Sequence, residues 1–387
     1  MVEFDPYSHA VHDDPYPHYK MLRDNAPVYF NEKYGFWILS RYEDVQGALR
    51  DFRRFSNSEG VSLEAQMQAG YPMVLTMDPP RHTKVRKIIQ KILTPQGIAR
   101  LEPDVRKLAV DLLTPFEGQG SIDILSDFAV YLPMAVIARM IKVPHSDEDY
   151  VRVLTDKLVS RGDGEFGISK ETAEAYMELA AYFENLVKKH ADDEPDDSLL
   201  SAILEAEKRQ ELSHDEVIGF LMLLGVAGNE TTTKLIGNMA FRLWQSKDQR
   251  QLLIDDPALI GKAVEETVRF DGSTQLLGRT AMEDIELHGK TIRKGDRVGL
   301  LMISANRDEL KWERPDAFDI LRNTAGHCGF GFGIHACVGA ALARLEVRVA
   351  FEEILKRFPH YDIQESGMQR MHSPNVRGYT HLPLTFD

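Results

Sequence analysis

The chain has 387 residues, 43% of them hydrophobic and 27% charged, which excludes the disordered, collagen-like and low-complexity classes and leaves enough apolar surface for a substantial core. A formal charge of −14 argues against nucleic acid as the main partner, because phosphate binding needs concentrated Lys and Arg. Two cysteines are too few for a disulfide framework, and the N-terminus has neither a basic start nor an apolar signal core, so a cytoplasmic protein without membrane insertion is expected.

Tyr29 to Leu39 reads as a hairpin turning around Asn31 to Gly35, followed by a helix from Tyr42 to Leu49. From Ile98 to Lys208 apolar residues recur at three and four, with Gly118-Gln-Gly120, Gly162-Asp-Gly164 and the acidic run Asp192 to Asp197 as breaks. None of these breaks has the length or composition of a linker, and a single domain over residues 1–387 is expected. The fold class is mainly α, with smaller β-rich parts near 28–40, 285–300 and 375–387.

Ser213-His214-Asp215-Glu216 is a capping box directly before an apolar run. It predicts a helix from about Asp215 to about Trp244, on the order of 45 Å long at 1.5 Å per residue. The run Val217 to Gly228 is shorter than the roughly 18 residues of a membrane span, so this helix should cross the protein interior. Its middle, Ala227-Gly-Asn-Glu-Thr-Thr-Thr233, is a poor helix former. One reading is a salt-bridged Glu230 with threonines bonded to the preceding turn; the other is a functional site, where local rules are most often broken.

Short strands return near Ile285 to Ile292 and in Arg377 to Phe386. Between them lies Gly326-His-Cys-Gly-Phe-Gly-Phe-Gly-Ile-His-Ala-Cys-Val-Gly339, and then a helix from Ala340 to Phe358 that Pro359 ends. Cys337 therefore stands at a helix start, where unpaired N–H groups favour a thiolate. The alternate glycines would let the chain approach a large flat group. Three readings remain open on these residues: a buried structural cysteine, a zinc site in a binding module from His327, Cys328, His335 and Cys337, and one axial thiolate to haem iron with Cys328 a bystander.

At this point the chain resembles the cytochrome P450 family. Phe330 to Gly339 matches that family's signature Phe-Gly-x-Gly-x-His-x-Cys-x-Gly at every fixed position. Glu266-Thr-Val-Arg269, Ala227-Gly-Asn-Glu-Thr-Thr232, Asp78-Pro-Pro-Arg-His-Thr-Lys-Val-Arg86 and Asn306-Arg-Asp-Glu309 match further segments in the family's order, as in its soluble bacterial members. The resemblance covers essentially the whole chain and implies the cytochrome P450 fold, with haem b between the central helix and the cysteine loop.

It further implies Cys337 as iron ligand, with Phe330 and Gly331 against the haem and His82, Arg86, Arg279 and His335 on its propionates. Glu266 and Arg269 would brace the core beneath it. Thr231 would be the alcohol and Glu230 the acid of a proton-delivery pair, with Gly228 giving room for oxygen and a helix bulge. The activity implied is a monooxygenase using O2, and a peroxide-using peroxygenase is the alternative, although that type typically lacks the acid-alcohol pair.

By the same analogy the substrate pocket involves segments 61–75, 161–169, 223–227, 273–277 and 375–379, with Val61, Met73, Leu224, Ala227, Gly228, Leu276, Leu277 and Val376 lining it; Leu63, Met67 and Leu223 add to its apolar character. An apolar molecule, terpenoid, steroid or fatty-acid-like, is expected, and Gly162, Gly164 and Gly167 suggest a lid. The chain has no flavin or iron–sulfur segment, so a ferredoxin-type reductant and its reductase are implied. Lys84, Lys87 and Lys91, with Arg344 and Arg348, form a candidate docking patch.

Overall fold

A computed structural model describes residues 2–64, 70–159 and 162–386. The helix predicted from the capping box runs His214–Gln245: the Ser213 hydroxyl accepts from the Glu216 amide, and the Glu216 carboxylate accepts from the Ser213 amide at 2.8 Å. Arg81 adds a guanidinium to the same carboxylate. Most of this central helix is buried, because helices Tyr131–Met140, Glu148–Val159, Lys170–His190, Ile260–Asp271 and Ala340–Arg357 all pack around it. The helix is continuous through residues 227–233, without the expected bulge.

Five strands form the larger sheet: β1 Val28–Asn31, β2 Phe36–Leu39, β3 Phe55–Ser56, β4 Leu276–Ala281 and β5 Arg297–Leu301, in the order β1-β2-β5-β4-β3. The β1–β2 hairpin turns at Gly35, whose φ of +73° a side chain rarely adopts. β2 runs parallel to β5, and β4 antiparallel to it with Leu276 opposite Leu301. Alternation along β4 buries Leu276 among Ile38, Leu63 and Leu301 and turns Leu277 the other way.

The short strands expected in the C-terminal stretch are two. Tyr379–His381 pairs with Gln369–Arg370, and Pro383–Thr385 is the middle strand between Ser121–Asp123 and Asp362–Ile363. Among the described residues no helix is long and apolar enough to cross a membrane.

Candidate functional site

The cysteine loop folds back on itself: the Gly331 amide donates to the Cys328 carbonyl and the Cys337 amide to the Phe330 carbonyl, both at 2.8 Å. Its glycines answer first to protein neighbours. A Cβ on Gly329 would lie 2.3 Å from Val268 Cγ1, and one on Gly333, where φ is +68°, would lie 3.0 Å from the Leu49 carbonyl. The expectation that all of them make room for a flat ligand is corrected for these two; Gly331, at φ +69°, has no protein atom closer than 3.6 Å, and Gly339 has none within 4 Å.

The two thiols differ sharply. Cys328 is completely buried, its amide held by Asn306 Oδ1 at 2.6 Å, and burial pushes its thiol up to about 12. Cys337 is open. Burial also raises its thiol, but the amides of Gly339 and Ala340 at the start of helix Ala340–Arg357, with Arg86 and Arg344, pull it back. A group that is open yet desolvated lies on the wall of an internal void.

The zinc reading fails on the same geometry. His327 is occupied by Glu265 at 3.1 Å and by the Gly329 amide at 3.1 Å. Among the described residues no three His, Cys, Asp or Glu side chains are grouped to hold a metal ion.

Beside the loop the structure brings together His82, Arg86, Arg279 and His335. The His82 and His335 rings lie 4.4 Å apart. Neither ring nitrogen of buried His82 has a hydrogen-bond partner, nor does Arg86 Nε or His335 Nε2. Burial, then His82, Arg279 and Arg86, push His335 down to about 3, and burial, then Arg297, pushes Arg279 down to about 10. Asp78 is the carboxylate felt by both His82 and Arg279. Orphaned donors around a shortage of negative charge fit a ligand that carries two carboxylates. Arg86 also donates to the Ala336 carbonyl, tying helix Arg81–Ile92 to the cysteine loop.

Glu266 and Arg269 are fully buried and joined by two 2.7 Å bonds. Arg269 also donates to the carbonyls of Asn306, Pro315 and Ala317, and Glu266 accepts from the Asp319 amide. The pair clamps the 306–319 segment that leads into the cysteine loop.

On the central helix one stripe escapes burial: Leu223, Val226, Ala227 and Thr231, with Ala227 the most open. Gly228 borders it, but a Cβ there would point at Ile137 Cδ1, 2.9 Å away, so this glycine makes room for helix Tyr131–Met140 and not for oxygen. Each threonine has its own partner. Thr231 donates to the Ala227 carbonyl at 2.8 Å and Thr233 to the Ala129 carbonyl at 2.9 Å. Thr232 bonds Glu346, a carboxyl that burial pushes up to about 8.

Glu230 stands beside the stripe on the helix but is buried. Its carboxylate lies 3.3 Å from Lys234, is hydrogen-bonded to Asp156, and opens on a separate pocket of about 330 Å³ lined also by Arg152, Tyr131 and His381. Glu230 and Thr231 have separate partners, and no hydrogen bond joins them. Asp156 and Lys234 carry no sequence signal of their role; only the packing of helix Glu148–Val159 on the central helix reveals it.

Of the expected pocket residues, Val61, Met73 and Leu277 are half-buried and Ala227 is exposed. Leu276, at 1% exposure, is corrected to the core behind the sheet, with Leu63. Leu224 and Val376 are nearly sealed, Leu224 in the main core and Val376 in a backbone bridge to Thr274. Met67 and Arg161 lie outside the described residues.

Lys84, Lys87 and Lys91 are exposed on helix Arg81–Ile92. Arg344 and Arg348 are already paired, Arg344 with Glu265 and Arg348 with Glu102 and Glu352. The basic patch is narrower than the sequence suggests.

Residues 245–382 match the family model for cytochrome P450. A relative from Mycobacterium tuberculosis, putative cytochrome P450 123, is 40% identical over 98% of this chain and 96% of its own length. The vitamin D(3) 25-hydroxylase of Pseudonocardia autotrophica is 35% identical over 99% of this chain and 96% of its own. The crystal structure of CYP109E1 from Bacillus megaterium in complex with testosterone superposes with a TM-score of 0.90 at 30% identity, covering 97% of this chain and 98% of that one. With near-complete coverage at this identity, and with the cysteine loop, the buried clamp and the long central helix all in place, the chain belongs to the cytochrome P450 family, the haem-thiolate monooxygenases.

Proposed function

We propose that this chain hydroxylates or epoxidises an apolar small molecule of terpenoid, steroid or fatty-acid-like type, with Cys337 as the thiolate that holds the haem iron. The observation that carries this reading is the open Cys337 thiol beside His82, Arg86 and His335, each with a buried nitrogen that lacks a partner, and beside the buried Arg279 guanidinium. His82, Arg86, Arg279 and His335 would hold the two haem propionates, whose charge supplies what Asp78 alone does not. Bound haem supplies the redox chemistry: with two electrons and two protons, O2 yields one oxygen atom inserted into the substrate and one molecule of water.

The side chains do the rest. Backbone amides at Gly339 and Ala340 spread the charge on sulfur, and the half-buried apolar wall of Val61, Met73, Leu223 and Leu277 orients the substrate and excludes water. The Thr231 hydroxyl, in reach of the void, would hold a water there by giving up its bond to the Ala227 carbonyl. Glu230 is the acid that supplies protons to it. The steroid-like lean draws on the names of two relatives, one a vitamin D(3) hydroxylase and one solved with testosterone. Electrons would come from an acidic ferredoxin docked on Lys84, Lys87 and Lys91.

A titration of the ferric protein with steroids, terpenoids and fatty acids tests the substrate class. The expected result is a low-to-high-spin shift with at least one of these and none with polar compounds of equal size. A shift confined to polar or charged compounds would overturn it.

A further inference from the structure

Glu230 is the acid of the proposed proton route, but its carboxyl is buried and held by Lys234 at 3.3 Å. It also contacts the carboxyl of Asp156 on helix Glu148–Val159. Two carboxyl groups in hydrogen-bond contact need one proton between them, since two anions would repel. The two are unequally placed: the Asp156 side chain is 41% exposed to the 330 Å³ pocket, whereas that of Glu230 is 3% exposed. One is wet and the other dry.

We propose that Asp156 and Glu230 share a single proton and act as the inlet of the proton route, Asp156 taking protons from the side pocket and handing them to Glu230; Asp156 is then a positioning residue for oxygen activation. This rests on the monooxygenase reading above. The surrounding charges fix the order. Lys234, 3.3 Å from Glu230, keeps that carboxyl ionised at rest, while burial and the Glu230 anion push Asp156 up, so the proton waits on Asp156.

From its own helix Asp156 faces Arg152 at 3.1 Å, which also reaches Asp149. Across the pocket the facing groups are Tyr131 and His381, the latter paired with Asp123. Transfer from Asp156 to Glu230 leaves Asp156 anionic beside Arg152 and Glu230 neutral. A neutral Glu230 can leave Lys234 and swing toward Thr231 without carrying a buried charge, which the ionised form cannot do cheaply. It releases its proton to water in the void, returns to Lys234, and solvent in the pocket reprotonates Asp156. No electron moves in these steps.

The test compares the haem-loaded wild type, Asp156→Asn, Asp156→Glu and Thr231→Ala with substrate and redox partner. For Asp156→Asn the expected result is an unchanged spin-state shift and first-electron rate, with product per electron pair lower by about tenfold or more and peroxide correspondingly higher. Asp156→Glu should recover most of the yield. Because the raised Asp156 group loses its proton as pH rises, wild-type yield should fall on the alkaline side, and Asp156→Asn should lack that fall. Without turnover, infrared titration of the resting protein should show a protonated carboxyl band that disappears at alkaline pH and is missing in Asp156→Asn.

Normal coupling in Asp156→Asn, or an infrared band that survives the substitution, would overturn the proposal. If Asp156→Asn does not fold, a wild-type yield that is flat from roughly pH 6 to 9 overturns it instead. Thr231→Ala separates the two readings. Uncoupling there with Asp156→Asn normal sinks only the Asp156 inlet; a protein that shows no haem-thiolate spectrum sinks the monooxygenase reading itself.

Discussion

Arg269 is completely buried and all five of its N–H groups are used, two on Glu266 and three on backbone carbonyls between Asn306 and Ala317. Arg86 is also largely enclosed, but its Nε has no acceptor, and neither has either nitrogen of His82. A satisfied buried ion is structural, whereas an unsatisfied one marks where something else must bind. Arg269→Ala would strand the Glu266 carboxylate, and removing one partner of a buried pair costs about 3–5 kcal/mol. A lower midpoint in thermal or denaturant unfolding, with weakened haem retention, is expected; an unchanged midpoint would show the clamp is not structural. Glu266 and Arg269 of the clamp were legible only through the family resemblance, since a lone Glu-x-x-Arg usually marks a solvated surface pair; the same resemblance singled out Phe330 and Cys337 in the loop. Asp156 was not legible, because its partner lies on another helix and nothing near it in the chain signals the contact.

The central helix shows what local pattern can and cannot specify. Its ends follow from Ser213 and Glu216 and were predicted to within a residue. What each residue presents follows from the neighbours: Ile137 claims the space at Gly228, Asp156 and Lys234 engage Glu230, and Leu223, Val226, Ala227 and Thr231 stay open along the middle of the helix. In the same way the order of Leu276 and Leu277 on β4 decides core against pocket, and a one-residue change of register would exchange them. Helix Arg81–Ile92 faces two ways, with His82 inward and Lys84, Lys87 and Lys91 outward. Lys84→Glu with Lys87→Glu should slow reduction by an acidic ferredoxin at low salt, and the difference from wild type should shrink as salt rises. Equal, salt-independent rates in both proteins would remove this face from the docking account.

At the scale of the molecule, the fold packs one long helix against another whose start carries an open thiol, with orphaned donors beside the cysteine loop. A separate pocket beside the central helix reaches Glu230 from solvent. On the proposed proton route, substrate and protons would have separate entrances, so the first could stay apolar and dry while the second is lined with charge. The sheets serve as frame: β4 carries Arg279 toward the cysteine loop, and the two-stranded sheet sets Tyr379–His381 beside the pocket that Glu230 lines. The mainly helical class and the β-rich parts were visible in periodicity, but the pairing of Pro383–Thr385 with Ser121–Asp123 joins the C-terminal strand to a segment far from it in the chain and has no local signature.

The central claim is that Cys337, and not Cys328, holds the haem iron. The most direct measurement is the absorption spectrum of the reduced carbon monoxide complex for wild type, Cys337→Ser and Cys328→Ser. The red-shifted Soret band of a haem-thiolate protein should be present in wild type and Cys328→Ser and absent in Cys337→Ser; its survival in Cys337→Ser with loss in Cys328→Ser would contradict the account.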